Sequence, residues 1–166
     1  MTNNLELTLI AAYSLPHRVI GNENNLPWSK IKEDMYRFRQ LTIGSPVIMG
    51  RATFDSLKNK ALNRRTNVVV SSQDDLIISS GTVYHAFNLD EAFEMASNFR
   101  RRAFVIGGEN LYEQTINHRL TTGLEITEIH SEYLGDKHFP FIDRKSWQEV
   151  ERDKREGFDF VRYTRK

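Results

Sequence analysis

Cysteine is absent from the 166-residue chain, which excludes disulfides, thiolate nucleophiles and thiolate metal sites. An excess of either charge is missing too. Against 23 Lys and Arg stand 22 Asp and Glu, for a formal charge of +1, so the strong basic bias of a nucleic-acid binder is not there. Four prolines and nine glycines leave no Pro- or Gly-rich linker, and no repeat or low-complexity tract occurs. Apolar runs stop after a few residues, far short of the roughly 20 needed to span a bilayer. Met1-Thr2-Asn3-Asn4 lacks a basic stretch followed by an apolar one, so no secretory signal is expected and a cytoplasmic location is. GxGxxG, P-loop, HExxH, EF-hand and GxSxG patterns are all missing, and the five histidines show no ligand spacing, so no metal is expected.

The remaining composition, 39% hydrophobic and 27% charged, is that of one globular domain over residues 1–166. Leu7–Ala12, Val47–Met49, Val68–Val70, Val83–His85, Ala103–Ile106 and Leu124–Ile129 read as strands. Between them, apolar residues Ile31, Met35, Phe38 and Leu41 predict a helix over 30–42. A short helix is predicted over 53–58, and Leu89, Ala92, Phe93, Ala96 and Phe99 predict another over 89–101, with Asn88 and Glu91 as a capping box. Trp147–Val150 and Phe158–Tyr163 read as a closing hairpin, and the mixed-charge run Glu149–Glu156 as a solvated turn or strand end. Strands separated by helices imply right-handed crossovers. The fold class is α/β: a mostly parallel central sheet with an antiparallel C-terminal hairpin and helices on both faces.

In such sheets ligands gather at the carboxyl ends of the strands. Met49-Gly50-Arg51-Ala52-Thr53 places a glycine, a cation and a hydroxyl at a strand-to-helix turn, which suits phosphate or is simply a tight turn with a surface arginine. Ile106-Gly107-Gly108-Glu109 is a second such turn, by itself equally a packing feature; a dinucleotide diphosphate would explain both. Ser71-Ser72-Gln73 follows a third strand and is either a plain loop or a seat for a further phosphate, such as the 2′-phosphate of NADP. Asp34 falls on the apolar stripe of the 30–42 helix, while Glu33 faces away and can pair with Arg37. A carboxylate turned to the core needs a polar partner, and burial raises its pKa. Asp34 is therefore either a first-turn acid stabilised by the helix dipole or an acid awaiting a nitrogen-rich ligand.

Taken in order, several stretches resemble dihydrofolate reductases over nearly the whole chain. They are Leu9–Ala12, Val19–Gly21, Leu26-Pro27-Trp28, Asp34 with Phe38 and Thr42, Pro46–Phe54, Val105–Gly108 through Tyr112, Thr127, and Gly135-Asp136 with His138-Phe139-Pro140. The resemblance implies reduction of 7,8-dihydrofolate to tetrahydrofolate with NADPH as cofactor. It places Asp34 on the 2-amino group and N3 of the pterin, assisting N5 protonation. Thr127 would bond Asp34, and Trp28 would steady water beside it. Ile10, Met35, Phe38 and Leu57 would wall the substrate, and Arg65 would pair with its glutamate α-carboxylate. Ala12 and Ile20 would meet the nicotinamide, and Arg51, Thr53, Gly108, Ser71, Ser72 and Gln73 the phosphates. Gly21, Gly50, Ala52, Ile106, Gly107 and Tyr112 complete the cofactor set, with Gly21–Trp28 as a lid.

The chain departs from the family pattern where the acid follows Trp28 by six residues, keeping Glu33 a rival to Asp34. Missing prolines in Ala61–Arg65 keep Arg64 a rival to Arg65. Glu109 brings a negative charge toward the diphosphate, and Leu26 stands where methionine is frequent. A pyrimidine reductase of riboflavin synthesis would share the fold but lack the acid paired with Phe38. A silent folate- or NADPH-holding relative would not need the acid, arginine and glycine turns together. A small-molecule substrate, a monomer, and neither nucleic acid nor membrane as partner are expected.

Overall fold

A computed structural model of the protein describes residues 4–21, 25–58, 60–76 and 81–166. Among the described residues the chain runs β1 (Glu6–Ser14), β2 (Val19–Gly21), α1 (Lys32–Thr42), β3 (Val47–Gly50), α2 (Arg51–Ser56), β4 (Asn67–Val70) and β5 (Val83–Ala86). It continues with α3 (Leu89–Ser97), β6 (Arg102–Gly107), α4 (Glu109–Thr115), β7 (Thr121–Ile129), β8 (Lys137–His138), β9 (Trp147–Lys154) and β10 (Phe158–Arg165). The sheet order is β5-β4-β3-β6-β1-β7-β10-β9, with β2 bridging β1 and β8 at one end. Every pairing from β5 to β7 is parallel, and β10 and β9 are antiparallel.

Alternation along the strands decides which helix covers which face. Leu7, Leu9, Ile48, Val68 and Val105 point to one side, where they pack with Ala92 and Phe93 of α3 and Leu111 and Tyr112 of α4. Ile10, Val47, Met49, Val69 and Phe104 point to the other, against Phe54 of α2 and Phe38 and Leu41 of α1. Both faces are covered, so these strands read as unbroken apolar runs. The chain travels from β1 through β3 and β4 to β5, then reverses through β6 to β7. Right-handed crossovers must change face when the direction of travel reverses, which is why α1 and α2 lie opposite α3 and α4. The reversal leaves β6 inserted between β3 and β1, and a crevice opens at their carboxyl ends.

Some boundaries differ from expectation. Helix α1 starts at residue 32 and α2 at residue 51, directly after the extended N-cap Gly50. Helix α3 ends at Ser97, so Phe99 leaves the apolar stripe; it is 43% exposed and stacks on Tyr84 of the edge strand. At the start of α3 the Asn88 side chain accepts from the Glu91 N–H (2.9 Å) as expected, but the Glu91 carboxylate reaches back to Phe87 rather than Asn88. Val19–Gly21, absent from the strands read in the sequence, is a short strand. Most of Glu149–Glu156 belongs to β9, where Arg152 bonds Glu128, Glu149 and Asp159.

Beyond Gly21, residues 22–24 of the expected lid lie outside the described residues, as do Met1–Asn3. What holds Gly21, the last described residue before 22–24, is visible. A Cβ on Gly135 would collide with a Val19 methyl and the Gly21 carbonyl oxygen, and the Asp136 N–H donates to that same oxygen (3.1 Å). Gly135→Ala should therefore cost about 1–3 kcal/mol through overpacking, seen as a lower midpoint in urea unfolding. Gly81→Ala, where an added methyl meets nothing within 4 Å among the described residues, should leave the unfolding free energy within about 0.5 kcal/mol of the parent.

Candidate active site

The crevice is a cavity of about 1410 Å³ whose walls come from the carboxyl ends of β1, β3, β4 and β6 and from α1, α2 and α4. Its two glycine turns converge: a Cβ on Gly50 would lie 3.8 Å from Gly107 O and 3.9 Å from Gly108 N. Gly107 has φ +129°, and its peptide bond to Gly108 is cis. A Cβ there would approach the hydroxyls of Thr53 and Tyr112 at 3.4 Å each, so glycine keeps both hydroxyls and the backbone open to the cavity. The Tyr112 hydroxyl donates to Ile10 O (2.7 Å), which fastens α4 to the end of β1. Ala12, Ile20, Gly21, Ala52, Ile106, Ser71 and Ser72 line the same cavity. Arg51 lines it as well, held by Asp55 (3.0 Å) and Asp75 (2.7 Å).

Gln73 does not join them. It is exposed, and its backbone N–H turns back to the Ser71 hydroxyl (3.2 Å), so of the Ser71–Gln73 cluster only the serines border the cavity. Glu109 borders it, but its carboxylate accepts the His138 N–H (2.6 Å) and so ties α4 to β8. The cavity also extends past Val70 to Phe87, Asn88 and Leu89 beyond β5, which the sequence reading missed. The rule about strand carboxyl ends, applied to Val83–His85 as well, would have found them.

Asp34 sits at the opposite end. It is half-buried in the first turn of α1, and its Oδ1 accepts a 2.6 Å hydrogen bond from the Thr127 hydroxyl of β7. Among the described residues no protein donor reaches Oδ2. Burial pushes the carboxyl above its ordinary pKa, while the Thr127 bond and the Arg37 charge partly oppose the shift. Glu33 is on the other side of the helix, 57% exposed and paired with Arg155 at 2.5 Å. The expected Glu33–Arg37 pair is not formed; Arg37 goes instead to the buried Glu125. Of the two acids only Asp34 lines this cavity.

Trp28 closes the wall beside Asp34, buried with Ile129, Phe158 and Phe160 and edge-on to Tyr133. Ile10, Met35, Phe38 and Leu57 extend an apolar lining toward Arg65. Arg65 is buried; it donates to Thr42 Oγ1 (3.0 Å) and Asn63 O (2.9 Å), and its guanidinium lies 5.8 Å from the Phe38 ring centre. Among the described residues it has no carboxylate partner, and desolvation pulls its pKa down. Arg64 is outside the lining, its carbonyl taken by the Gly44 N–H (2.8 Å).

The raised pKa of Asp34 carries a stability consequence. A carboxyl that holds its proton more tightly when folded favours the native state at acid pH, and that contribution is lost as pH rises through the folded pKa. The ligand-free protein should therefore lose stability from the ordinary carboxylate range up to the raised value. Asp34→Asn should remove this slope, so that the difference in urea-unfolding free energy between variant and parent grows with pH across that window and then levels.

No helix among the described residues is long and apolar enough to cross a membrane. Residues 6–165 match the sequence profile of the family described as dihydrofolate reductase. The chain is 38% identical to the dihydrofolate reductase of Neisseria meningitidis serogroup A, covering 97% of this chain and 99% of that one. It is 35% identical to dihydrofolate reductase HdrB of Haloferax volcanii, over 98% of this chain and 84% of the relative. The structure of Enterococcus faecalis dihydrofolate reductase complexed with NADP(H) and RAB-propyl superposes with a TM-score of 0.82 at 29% identity, covering 96% of each chain. With a family match over residues 6–165, these identities over nearly the whole chain and the shared fold, the chain belongs to the dihydrofolate reductase family.

Proposed function

We propose that Asp34 is the group through which this chain performs its family's reaction, the NADPH-dependent reduction of dihydrofolate to tetrahydrofolate. The observation that carries this reading is a half-buried carboxylate with one oxygen fixed by Thr127 and the other without a protein donor among the described residues, in the same cavity as the two glycine turns. A flat heterocycle with an exocyclic amine and a ring N–H, as in the pterin, presents two donors to such an acid. The desolvated carboxyl then gains the partners whose absence makes its burial costly.

The cofactor fits the other half of the cavity. Gly50, Gly107 and Gly108 let a chain of phosphates approach backbone amides, and Thr53, Ser71 and Ser72 add hydroxyls, with Arg51 as the cation. Ala12, Ile20 and Gly21 lie between those turns and the acid, where the nicotinamide would stand. NADPH bound there supplies the hydride for C6 of the pterin. Addition of that hydride to C6 and a proton to N5 saturates the N5=C6 bond. The raised pKa keeps a proton available on Asp34 nearer neutral pH, for N5 directly or through a water steadied by Trp28. Apolar walls from Ile10, Met35, Phe38 and Leu57 hold the ring and exclude water, which strengthens each polar contact. Arg65, a buried cation without an acid among the described residues, would pair with the substrate's α-carboxylate at the far end.

Asp34→Asn should lower kcat at neutral pH by about 10²- to 10⁴-fold while barely altering NADPH binding followed by fluorescence. Glu33→Gln should stay active, and the reverse pattern would transfer the role to Glu33. Arg65→Ala should weaken dihydrofolate by about 10- to 100-fold, as for a lost charge-assisted hydrogen bond, and leave pteridines without a glutamate tail unaffected. Equal losses for both ligands would make Arg65 a structural residue.

A further inference from the structure

Two side-chain rungs join α1 to β7. Thr127 and Glu125 are two residues apart on β7 and therefore point to the same face. Asp34 and Arg37 are three apart on α1 and are neighbours on its surface. Thr127 bonds Asp34 on one rung, and Glu125 Oε2 accepts from Arg37 Nη2 on the other. Glu125 is fixed from behind as well, its Oε1 accepting from Arg162 Nε of β10 (2.6 Å), whose Nη1 pairs with Glu151 of β9 (2.7 Å). Arg37 also lies over the Phe160 ring at 4.6 Å. Its side chain is 19% exposed and that of Glu125 9%. Arg37 borders both the large cavity and a smaller hollow of about 640 Å³ on the outer side of α1.

We propose that Arg37 is a positioning residue for the Asp34 proton, held on the β7 side by Glu125 so that its guanidinium does not pair with the catalytic acid. This rests on the reading of Asp34 as the acid of the reaction. An arginine one turn along the helix can swing to a carboxylate with a free oxygen, and an ion pair there would keep the acid ionised. Glu125 supplies the competing anion and Arg162 locks that anion in place. The effect of Arg37 on Asp34 thereby becomes that of a partly neutralised cation.

The other groups around the acid do not substitute for this pair. Thr127 on β7 is uncharged, and Tyr112 on α4 is buried with its proton held on Ile10 O. Glu33 is turned outward to Arg155 of the β9–β10 turn. Lys30 before α1, Arg39 on α1 and Arg65 before β4 border the cavity as further cations. They are untouched by changes at positions 37 and 125.

The test compares pH profiles of kcat/KM, with dihydrofolate and NADPH, for the parent, Glu125→Gln, Arg37→Met, Arg37→Lys and the Arg37→Met/Glu125→Gln double variant. In parallel, ¹³C NMR of carboxyl-labelled aspartate follows Asp34 itself, its signal identified by loss in Asp34→Asn. Glu125→Gln should move the Asp34 midpoint down by about one pH unit, giving about tenfold slower turnover above the midpoint and none of that loss at acid pH. Arg37→Met should move it up, Arg37→Lys should stay near the parent, and the double variant should return toward it. Structural damage lowers the plateau and cannot shift two midpoints in opposite directions. Midpoints that move the same way, or an Asp34 signal that titrates alike in all variants, would overturn the proposal. If the NMR midpoints shift as stated while the rate profiles stay put, the positioning role stands and it is the acid role of Asp34 that fails.

Discussion

A hydroxyl-to-carboxylate hydrogen bond of 2.6 Å between Thr127 and Asp34 sets the geometry on which the site depends. It joins the first turn of α1 to the carboxyl-terminal part of a central strand, and so fixes where a costly charge can sit beside apolar walls. Donation from a neutral hydroxyl steadies the carboxylate without cancelling its charge, and among the described residues no protein donor reaches the second oxygen. Desolvation raises the carboxyl above its ordinary pKa, outweighing the Thr127 bond and the Arg37 charge. A basic side chain in place of Thr127 would hold the same position but would pull the pKa down.

The remainder of the cavity follows from the path of the chain. Because the direction of travel reverses after β5, strand β6 enters between β3 and β1, and the turns that follow β3 and β6 become neighbours. Glycine at 107 supplies the positive φ of +129° that its turn takes, and a Cβ on Gly50 would already stand at van der Waals distance from the Gly107–Gly108 backbone. The half of the cavity with the glycine turns and the half with Asp34 are therefore assembled on one edge of the sheet, with β1 between them contributing Ile10 to Ala12. Tyr112 reinforces the assembly by bonding Ile10 O across it. Positioning of two bound molecules is thus built into the sheet, the arrangement that best supports an effectively intramolecular transfer.

Charge near the acid is arranged in alternation, with few lone groups. Arg37, Glu125, Arg162 and Glu151 form a run of opposite signs from α1 across β7 and β10 to β9, and Arg152 gathers three acids farther along. A near-zero net charge over the whole chain is the sum of such local cancellations. Arg65 breaks the pattern, a buried cation with only neutral partners among the described residues.

Much of this was legible in the linear order of residues. Apolar runs located the central strands, the 3.6-residue stripe placed Asp34 on the cavity side of its helix, and glycines after two strands marked the turns, because periodicity and backbone freedom are local properties. The end of α3 before Phe99, the pairing of Val19–Gly21 and the loss of Gln73 from the cavity were not legible, since each depends on which distant segment supplies a hydrogen bond or a surface to pack on. The partner of Arg37 is the clearest case. Spacing offered Glu33 four residues away, whereas the folded chain brings up Glu125 from a strand 88 positions distant, buried and already anchored by Arg162. The sequence by itself determined the fold class and the family, because those follow from the order of patterns each set within a few turns of chain. Only the tertiary structure decided which charges face one another, because Coulomb energy depends on distance through space and on burial, and neither is written in the spacing.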